Sequence, residues 1–524
     1  VRVRLVEPRP AGHTVYDYAL LPRLGLPLIG ALLSRAGHDV KVYCELIAPV
    51  DLDECLAADI VGISATTSTA PSAYRLADVL GSCGVPVVLG GPHTSFCTDE
   101  GLDHAPFVVR GEGQATMLDL VGCLSRGDDL RHVRGLSFRG PDGEPHHNPA
   151  RPITSQSEFM ALPAPDLTLV EGHEKMTTRP VMTQWGCPFD CEFCSVTAMF
   201  SRSVRHRSTE QVVQEIATLG AERVFFYDDN FVVNKARTTQ LLEAVMAADL
   251  TLPWFAQARA DVVLCSPARP QIDHRFLELM RRAGAEMLMI GFETITDEGL
   301  ARLGKRLSVA TEERAVAALH KHGIAVHGMF VGGLDTDDAA SAGATARFAR
   351  RIGIDTFQLM AEIPLPGTKL WERVSSERRL LSDDWSLFDG HQVVMQPAQM
   401  SPLELQLGIL EATRRFYSWP GIVRSGLAGA LSHLPTLVGT TGPAMLRQLP
   451  ALAKIAWGRR WDEVTPYLQA KLPVSAFSGL AQAFWLPAVR MYARRQLSAW
   501  WGADRSRAHL ELLRSLPSVR NAGI

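Results

Sequence analysis

No stretch of the 524-residue sequence runs uninterrupted in apolar residues far enough to cross a bilayer, which takes about 18 or more, so no membrane-spanning segment is expected. Charge of one sign is also lacking. With 53 Lys and Arg against 56 Asp and Glu, the net charge is -3, and no recognised module or basic stripe points to nucleic acid. Cysteine is scarce, nine residues in all, and the N-terminal VRVRLVEPRP reads as a charged strand and not as a signal peptide. Both features point to reduced thiols in a cytoplasmic setting, not to a disulfide framework. No catalytic triad or pair of carboxylates stands out, so chemistry by a side-chain nucleophile or an acid–base pair is not expected.

What is present is apolar material for several cores, 46% of residues with 21% charged, in a length that suits about three domains. Residues 1–140 alternate strand and helix. VRVRLVEP, DVKVYCE, DIVGISA, VPVVLGG and PFVVRGE are short β-branched runs that stop at turn residues. LPLIGALLSRAG, PSAYRLADVLGSCG and ATMLDLVGCLSRG between them have helical periodicity. Buried parallel strands with crossover helices fit this rhythm, giving a flavodoxin-like (Rossmann-type) α/β domain. Ligands of such sheets lie beyond the carboxyl ends of the strands, near the switch in strand order. Those ends carry SATTST (Ser64–Thr69), GGPHT (Gly90–Thr94) and GEG (Gly111–Gly113). Small residues there either admit a ligand to the backbone or serve turn geometry alone.

Residues 141–178, rich in Pro, Gly and polar residues, read as a linker. A second alternation follows over 179–400. RPVMTQ, ERVFFYDD, PWFAQAR, EMLMIGFE, IAVHGMFV and DTFQLMAE are six candidate strands, with helical stretches such as TEQVVQEIATLG and TEERAVAALHKHG between them. Six βα units suggest a partial (β/α)6 barrel, in which loops at the carboxyl ends of the strands build the site. From 401 to 524 the pattern is that of a helical C-terminal domain of short segments broken by prolines such as Pro420, Pro443 and Pro473. That segment holds 15 Lys and Arg against 6 Asp and Glu, and six of the ten tryptophans. It reads as a solvated basic face, or as a surface for anionic lipid or a bulky apolar molecule.

The loop after RPVMTQ, WGCPFDCEFCSV, places Cys187, Cys191 and Cys194 at C-x3-C-x2-C spacing. Thiolates suit zinc or iron–sulfur clusters. A closed zinc site takes four ligands, usually as two distant pairs, and no second C-x2-C occurs. Cys44, Cys55, Cys83, Cys97, Cys123 and Cys265 are scattered singly. A four-iron cluster held by three thiolates leaves one iron open.

This motif on the first loop of a βα barrel, with Phe193 before the last cysteine, resembles the radical S-adenosylmethionine (SAM) superfamily. The resemblance implies a [4Fe-4S] cluster on Cys187, Cys191 and Cys194 whose open iron binds SAM. It places Phe193, Asp228, Asp229, Asn230, Gln257, Arg259, Glu293, Gly332 and Gly333 at that cofactor. Asp228, Asp229 and Asn230 would face the methionyl amino group, Glu293 the ribose, Gln257 and Arg259 the carboxylate, and Gly332 and Gly333 the adenine. Lys305 and Arg306 read equally as solvated charges or as part of the site. With the N-terminal domain ahead of it, as IGALLSRAGHDV, VGIS, VVLGGPHT and VVRGEGQAT, the chain resembles the cobalamin-binding class. That implies cobalamin along Ser64, Thr66, Thr67, Gly90, Gly91, His93, Gly111, Glu112 and Gly113. The D-x-H-x-x-G motif that supplies a cobalt-ligating histidine is missing, which implies cobalamin without histidine ligation.

The activity so implied is methylation of an unactivated carbon. The 5′-deoxyadenosyl radical takes hydrogen, methylcobalamin gives the methyl group, and a second SAM restores it. The run from GLDTDD through PLPGTKLW to RFYSW resembles members acting on hydrophobic molecules, the hopanoid methylases and the oxidative cyclase of bacteriochlorophyll synthesis. A lipid-like or polycyclic substrate, a flavodoxin- or ferredoxin-type electron donor, and peripheral membrane contact through the C-terminal domain follow as expectations. A cobalamin-dependent cyclisation or rearrangement without methyl transfer, and a corrinoid- or cluster-binding protein without turnover, stay open as alternatives.

Overall fold

The five β-branched runs at the N-terminus become β1 (Arg2–Glu7), β2 (Asp39–Cys44), β3 (Ile60–Ser64), β4 (Val87–Gly90) and β5 (Phe107–Val109) in a computed structural model of the chain. It describes residues 1–10, 20–266, 269–305, 307–418 and 504–516, with 420, 490, 491, 493 and 494. These strands lie parallel in the order 2-1-3-4-5 and continue antiparallel into β6 (Leu136–Arg139) and β7 (Pro145–His147). Their near-continuous apolar sequence suits burial on both faces. The helices Gly25–Arg35 and Gly113–Arg126 contribute Leu28, Leu33, Met117 and Leu120 to one core. Ala70–Ser82 and Thr98–His104 contribute Ala73, Ala77, Leu80 and Leu102 to the other. Each large aliphatic so buried stabilises the fold by roughly 1.5–3 kcal/mol. Strand order reverses between β1 and β3, which puts the ligand crevice of such a sheet at their carboxyl ends.

Residues 141–178 are packed and do not form the loose linker their composition suggested. The β6–β7 hairpin lies in the sheet. The helix Gln156–Ala161 starts with a Ser155/Glu158 capping box. Phe159, Leu167, Val170 and Met176 join the first core. The Glu171 N–H donates to the Val42 carbonyl at 2.9 Å, so this segment covers the free edge of β2.

The six later runs become β8 (Thr178–Val181), then, after the short ribbon β9 (Gln184–Trp185) and β10 (Arg205–His206), β11 (Arg223–Phe226) and β12 (Trp254–Arg259). A second ribbon, β13 (Leu264–Ser266) with β14 (Arg269–Ile272), precedes β15 (Ala285–Glu293), β16 (Ala325–Gly332) and β17 (Thr356–Ala361). The long strands form one open parallel sheet in the order 8-11-12-15-16-17. Burial alternates along them. Trp254, Ala256 and Ala258 are buried while Phe255, Gln257 and Arg259 are not fully so, and β16 repeats the pattern with His327, Met329 and Val331. One face therefore packs on helices and the other lines a lumen.

Residues Val1–Ile409 with Asp504–Ile524 form one compact unit and Leu410–Ala503 another. The second unit, and the Trp-rich basic surface expected there, lies almost wholly outside the described residues. No helix among the described residues is long and apolar enough to cross a membrane.

Candidate functional site

Gly186 follows β9 at φ 86°, in the left-handed region, and a Cβ there would lie 2.0 Å from the Ser203 carbonyl oxygen. Only glycine lets the chain cross itself at this point. The crossing closes the loop between β9 and β10, and this loop carries the three expected cysteines, each half-buried. Burial pushes all three thiols up, Cys194 to about 11, and Cys191 is near enough to act on both of the others. Among the described residues, the one trio of potential ligands within 4.8 Å of one another is His93, Cys97 and Glu100. Three thiols in one loop, with no fourth cysteine in it, fit a four-iron cluster that keeps one iron open.

The acidic loop after β11 supports that loop from below. Asp228 is only 1% exposed. Its carboxylate accepts from Thr183 N at 2.8 Å, Thr183 Oγ1 at 2.5 Å and Gln184 N at 3.1 Å. Both oxygens are engaged, so Asp228 latches β8 to β9 and does not face a cofactor amino group as expected. Burial pushes it up to about 7, against the pull of those donors. Asp229 accepts from Gly186 N at 3.1 Å, beside Cys187, and the Asn230 carbonyl accepts from the Gln184 amide.

A charged pocket flanks the thiols. Arg259, ending β12, lies with its guanidinium carbon 3.8 Å from the centre of the Phe189 ring of the loop, and Gln257 precedes it on the same face. Glu293, ending β15, sits at φ 67°, an outlier of the kind that gathers at functional sites. Its Oε1 accepts from Lys305 Nζ at 2.9 Å, and Lys305 also donates to the Gly291 carbonyl at 2.6 Å. Lys305 is therefore buried and paired, while Arg306 lies outside the described residues. Burial raises the Cys191 thiol, and the positive charges of Lys305 and Arg259 oppose it. Glu312, which the sequence reading missed, is 0% exposed with no hydrogen-bond partner for either oxygen among the described residues, and burial pushes it up to about 9. A carboxyl on the same helix face as Ala315, Val316 and Leu319 was the available signal. Arg259 Nε also lacks a hydrogen-bond partner there, lying 3.5 Å from Asp261. Orphaned acid and base groups together fit a ligand that carries an ammonium, a carboxylate and hydroxyls.

Two expected residues also serve packing. Phe193 packs against Leu370, Val374 and Met395 in a satellite core. A Cβ on Gly333, at φ 93°, would lie 2.5 Å from Leu405 of the helix Pro402–Phe416, whereas one on Gly332 would make only ordinary contacts with Ile409 and Leu359.

At the crevice of the first sheet, Ser64, Gly90 and Gly111 end β3, β4 and the stretch after β5. A Cβ on Gly111 would meet nothing within 4 Å, which leaves open backbone, while Gly113 packs near Val109 and Ile29. Arg23 bridges Glu7 and Thr66 Oγ1, the latter at 3.2 Å, and its buried Nη1 has no partner among the described residues. This orphan donor at the β1/β3 switch fits a large ligand rich in acceptors. Thr66 and Thr67 also build the 3-10 turn that leads into the helix Ala70–Ser82, and Gly91 packs against Ala65. Two expected residues turn away. His93, 1% exposed, faces Thr67, Glu100 and the edge of Trp385. Glu112 pairs with Arg205 and accepts from Thr154 N at 2.8 Å. Sequence spacing located both strand ends but not the side to which each side chain turns.

A three-thiol loop on an open six-stranded parallel sheet, in a chain that also carries a 2-1-3-4-5 sheet with a ligand crevice, fits an enzyme with a metal cluster and a second large cofactor. The profile of the Radical SAM superfamily matches residues 181–346, and that of the B12 binding domain matches residues 16–121. The chain thus combines a B12 binding domain with a Radical SAM domain, and these imply a [4Fe-4S] cluster, SAM and cobalamin as its cofactors. It is 29% identical to an uncharacterized methyltransferase of Pyrococcus horikoshii, over 77% of this chain and 89% of that one. It is 27% identical to bacteriochlorophyllide d C-12(1)-methyltransferase of Chlorobaculum tepidum, over 80% and 88%. Identity to hopanoid C-3 methylase of Methylococcus capsulatus is 26%, over 75% and 76%. The cobalamin-dependent SAM radical enzyme OxsB, solved with aqua-cobalamin and SAM, shares the fold with TM-score 0.63 at 16% identity, covering 100% of this chain and 81% of that one.

Proposed function

We propose that the protein methylates an unactivated carbon of a hydrophobic, lipid-like or polycyclic small molecule. The observation that carries this reading is the pairing of the three-thiol loop with the unbonded Glu312 carboxyl and Arg259 Nε beside the Glu293–Lys305 pair. When bound, the cluster and SAM supply a hydrogen-abstracting radical, and cobalamin supplies the methyl group. Cys187, Cys191 and Cys194 hold the cluster; Asp229, Gln257, Arg259, Glu293 and Lys305 orient SAM. Ser64, Thr66, Gly90 and Gly111 would hold cobalamin, with Arg23 as a donor. Phe255, partly buried and stacked on Phe225 at 4.8 Å, suits an apolar guest. The names of the methylase relatives point the same way. No proton relay is needed at the reacting carbon, and the walls keep water from the radical.

The division into a cobalamin domain (1–140, completed by 141–178) and a barrel (179–400) follows from this reading. The basic, Trp-rich segment suits collection of an apolar substrate at an anionic lipid surface. A flavodoxin or ferredoxin is the natural one-electron donor, in a reducing cytoplasm that also keeps the nine cysteines as thiols. The test is anaerobic reconstitution with SAM labelled in its methyl group and candidate hopanoid or tetrapyrrole substrates. Label in the product supports the reading. Formation of 5′-deoxyadenosine with an unlabelled, rearranged or cyclised product overturns methyl transfer, and no 5′-deoxyadenosine with any substrate overturns catalysis.

A further inference from the structure

Glu112 stands in the loop at the end of β5, between the two glycines that border the corrin crevice. Arg205 stands in β10, where the thiol-bearing loop ends, paired across the ribbon with Trp185 just ahead of Gly186. The two side chains, 5% and 4% exposed, form an ion pair. Both carboxylate oxygens of Glu112 are committed, Oε1 to Arg205 Nη1 and Oε2 to Thr154 N at 2.8 Å. Arg205 Nη1 also donates to the Thr154 carbonyl at 3.2 Å. The guanidinium carbon lies 5.8, 5.8 and 5.4 Å from the ring centres of Phe159, Trp185 and Phe200. Two residues along, the Gln156 amide both donates to the His206 carbonyl at 2.7 Å and accepts from its N–H at 2.9 Å. The segment 154–156 is thus a splint between the two loops, and the ion pair is its pin.

An apolar pair of similar volume would hold two domains together as firmly, because burying charge carries a large desolvation cost. What an ion pair adds is register, since the bonds from Arg205 Nη1 to Glu112 and Thr154 form at one geometry only, while Nε and Nη2 have no hydrogen-bond partner among the described residues. We propose that Glu112 and Arg205 are positioning residues that fix the corrin-side loop against the thiol loop, and so set the spacing between the methyl donor and the radical source. This rests on the two-cofactor reading above.

The test uses the full-length, cofactor-loaded protein with Glu112→Gln, Arg205→Lys, and the apolar double variant Glu112→Leu/Arg205→Met. Iron content and the corrin absorption bands establish loading. The distance between the reduced cluster and Co(II) of the corrin is read by pulsed EPR from their spin–spin coupling, which needs no substrate. The expected result is retained cofactors, a broadened or shifted distance in all three variants, and a rise of about tenfold in 5′-deoxyadenosine formed per methylated product, in line with the cost of small misplacements. Loaded variants with the wild-type distance and ratio overturn the proposal. So does failure of all three to fold, since the pair would then hold the fold and not its register. A shifted distance in protein that methylates nothing supports the pair as a positioning device while the proposed reaction falls.

Discussion

The place that alanine would need for its Cβ at Gly186 is already taken by the carbonyl oxygen of Ser203, 2.0 Å away. That crossing holds Cys187 next to Asp229 and closes the loop that presents all three thiols. Gly186→Ala has to open it, on top of a left-handed φ that costs a non-glycine residue about 1 kcal/mol or more. The reconstituted variant is expected to bind well under half the wild-type iron and sulfide while keeping its corrin bands, because the first sheet is untouched. A full iron complement would show that the crossing does not shape the cluster site.

Asp228 makes three hydrogen bonds to the β8–β9 turn with both its oxygens buried. Asp228→Ala leaves two buried backbone N–H groups unsatisfied, at about 1–3 kcal/mol each. The unfolding free energy is expected to fall by roughly 3 kcal/mol or more, with Asp228→Asn losing less because its amide oxygen still accepts. Urea melts of the two variants decide this. Equal losses would mean that charge matters there and geometry does not.

The buried Glu312 carboxyl gives a pH signature. In an unfolded chain a glutamate releases its proton near pH 4.3, whereas burial holds that of Glu312 up to about 9. Between those values the folded protein keeps a proton that the unfolded chain has lost, so folding takes one up and stability falls as pH rises. The favourable contribution is complete below about pH 4.3 and is lost through pH 9. Glu312→Gln, neutral throughout, is expected to match the wild type near pH 5 and exceed it at pH 8–9, in thermal melts of cofactor-free protein. Parallel curves across that range would remove Glu312 as the titrating group.

Much of this architecture was readable from periodicity. The five N-terminal parallel strands coincide with β-branched runs, because a strand buried on both faces must be apolar along its length, and the six later ones coincide with apolar runs whose burial alternates in part. The three cysteines could be read because their spacing is local. Side-chain direction could not. Asp228 and Asp229 are adjacent, yet one faces Thr183 after β8, 45 residues away in sequence, and the other Gly186, 43 residues away, a choice set by packing between strands distant in sequence. Glu112 and His93 looked like crevice residues by position, but partners from distant segments, Arg205 and Trp385, draw them away. The packed segment 141–178 was hidden by its prolines, although Phe159, Leu167, Val170 and Met176 carried the contrary signal.

Two halves of the molecule also meet at Gly367, in the turn after β17, whose Cβ position lies 2.3–2.5 Å from the ring atoms of Phe96 on the first domain. The Trp385 indole donates to Glu100 at 2.8 Å close by, so this turn lies flat on the helices that follow β4. Gly367→Ala adds a clash to a φ of 81°, and together these are expected to cost about 2 kcal/mol or more. Phe96→Ala removes the ring, which is partly exposed and should cost less by itself. The double variant then retains the φ penalty but not the clash, so it should be more stable than Gly367→Ala alone. The expected coupling in a double-mutant cycle is at least about 1 kcal/mol. Simple additivity in denaturant melts would mean that the turn and the ring do not press on one another, and that the domains owe their fixed spacing on this side to Trp385 and Glu100.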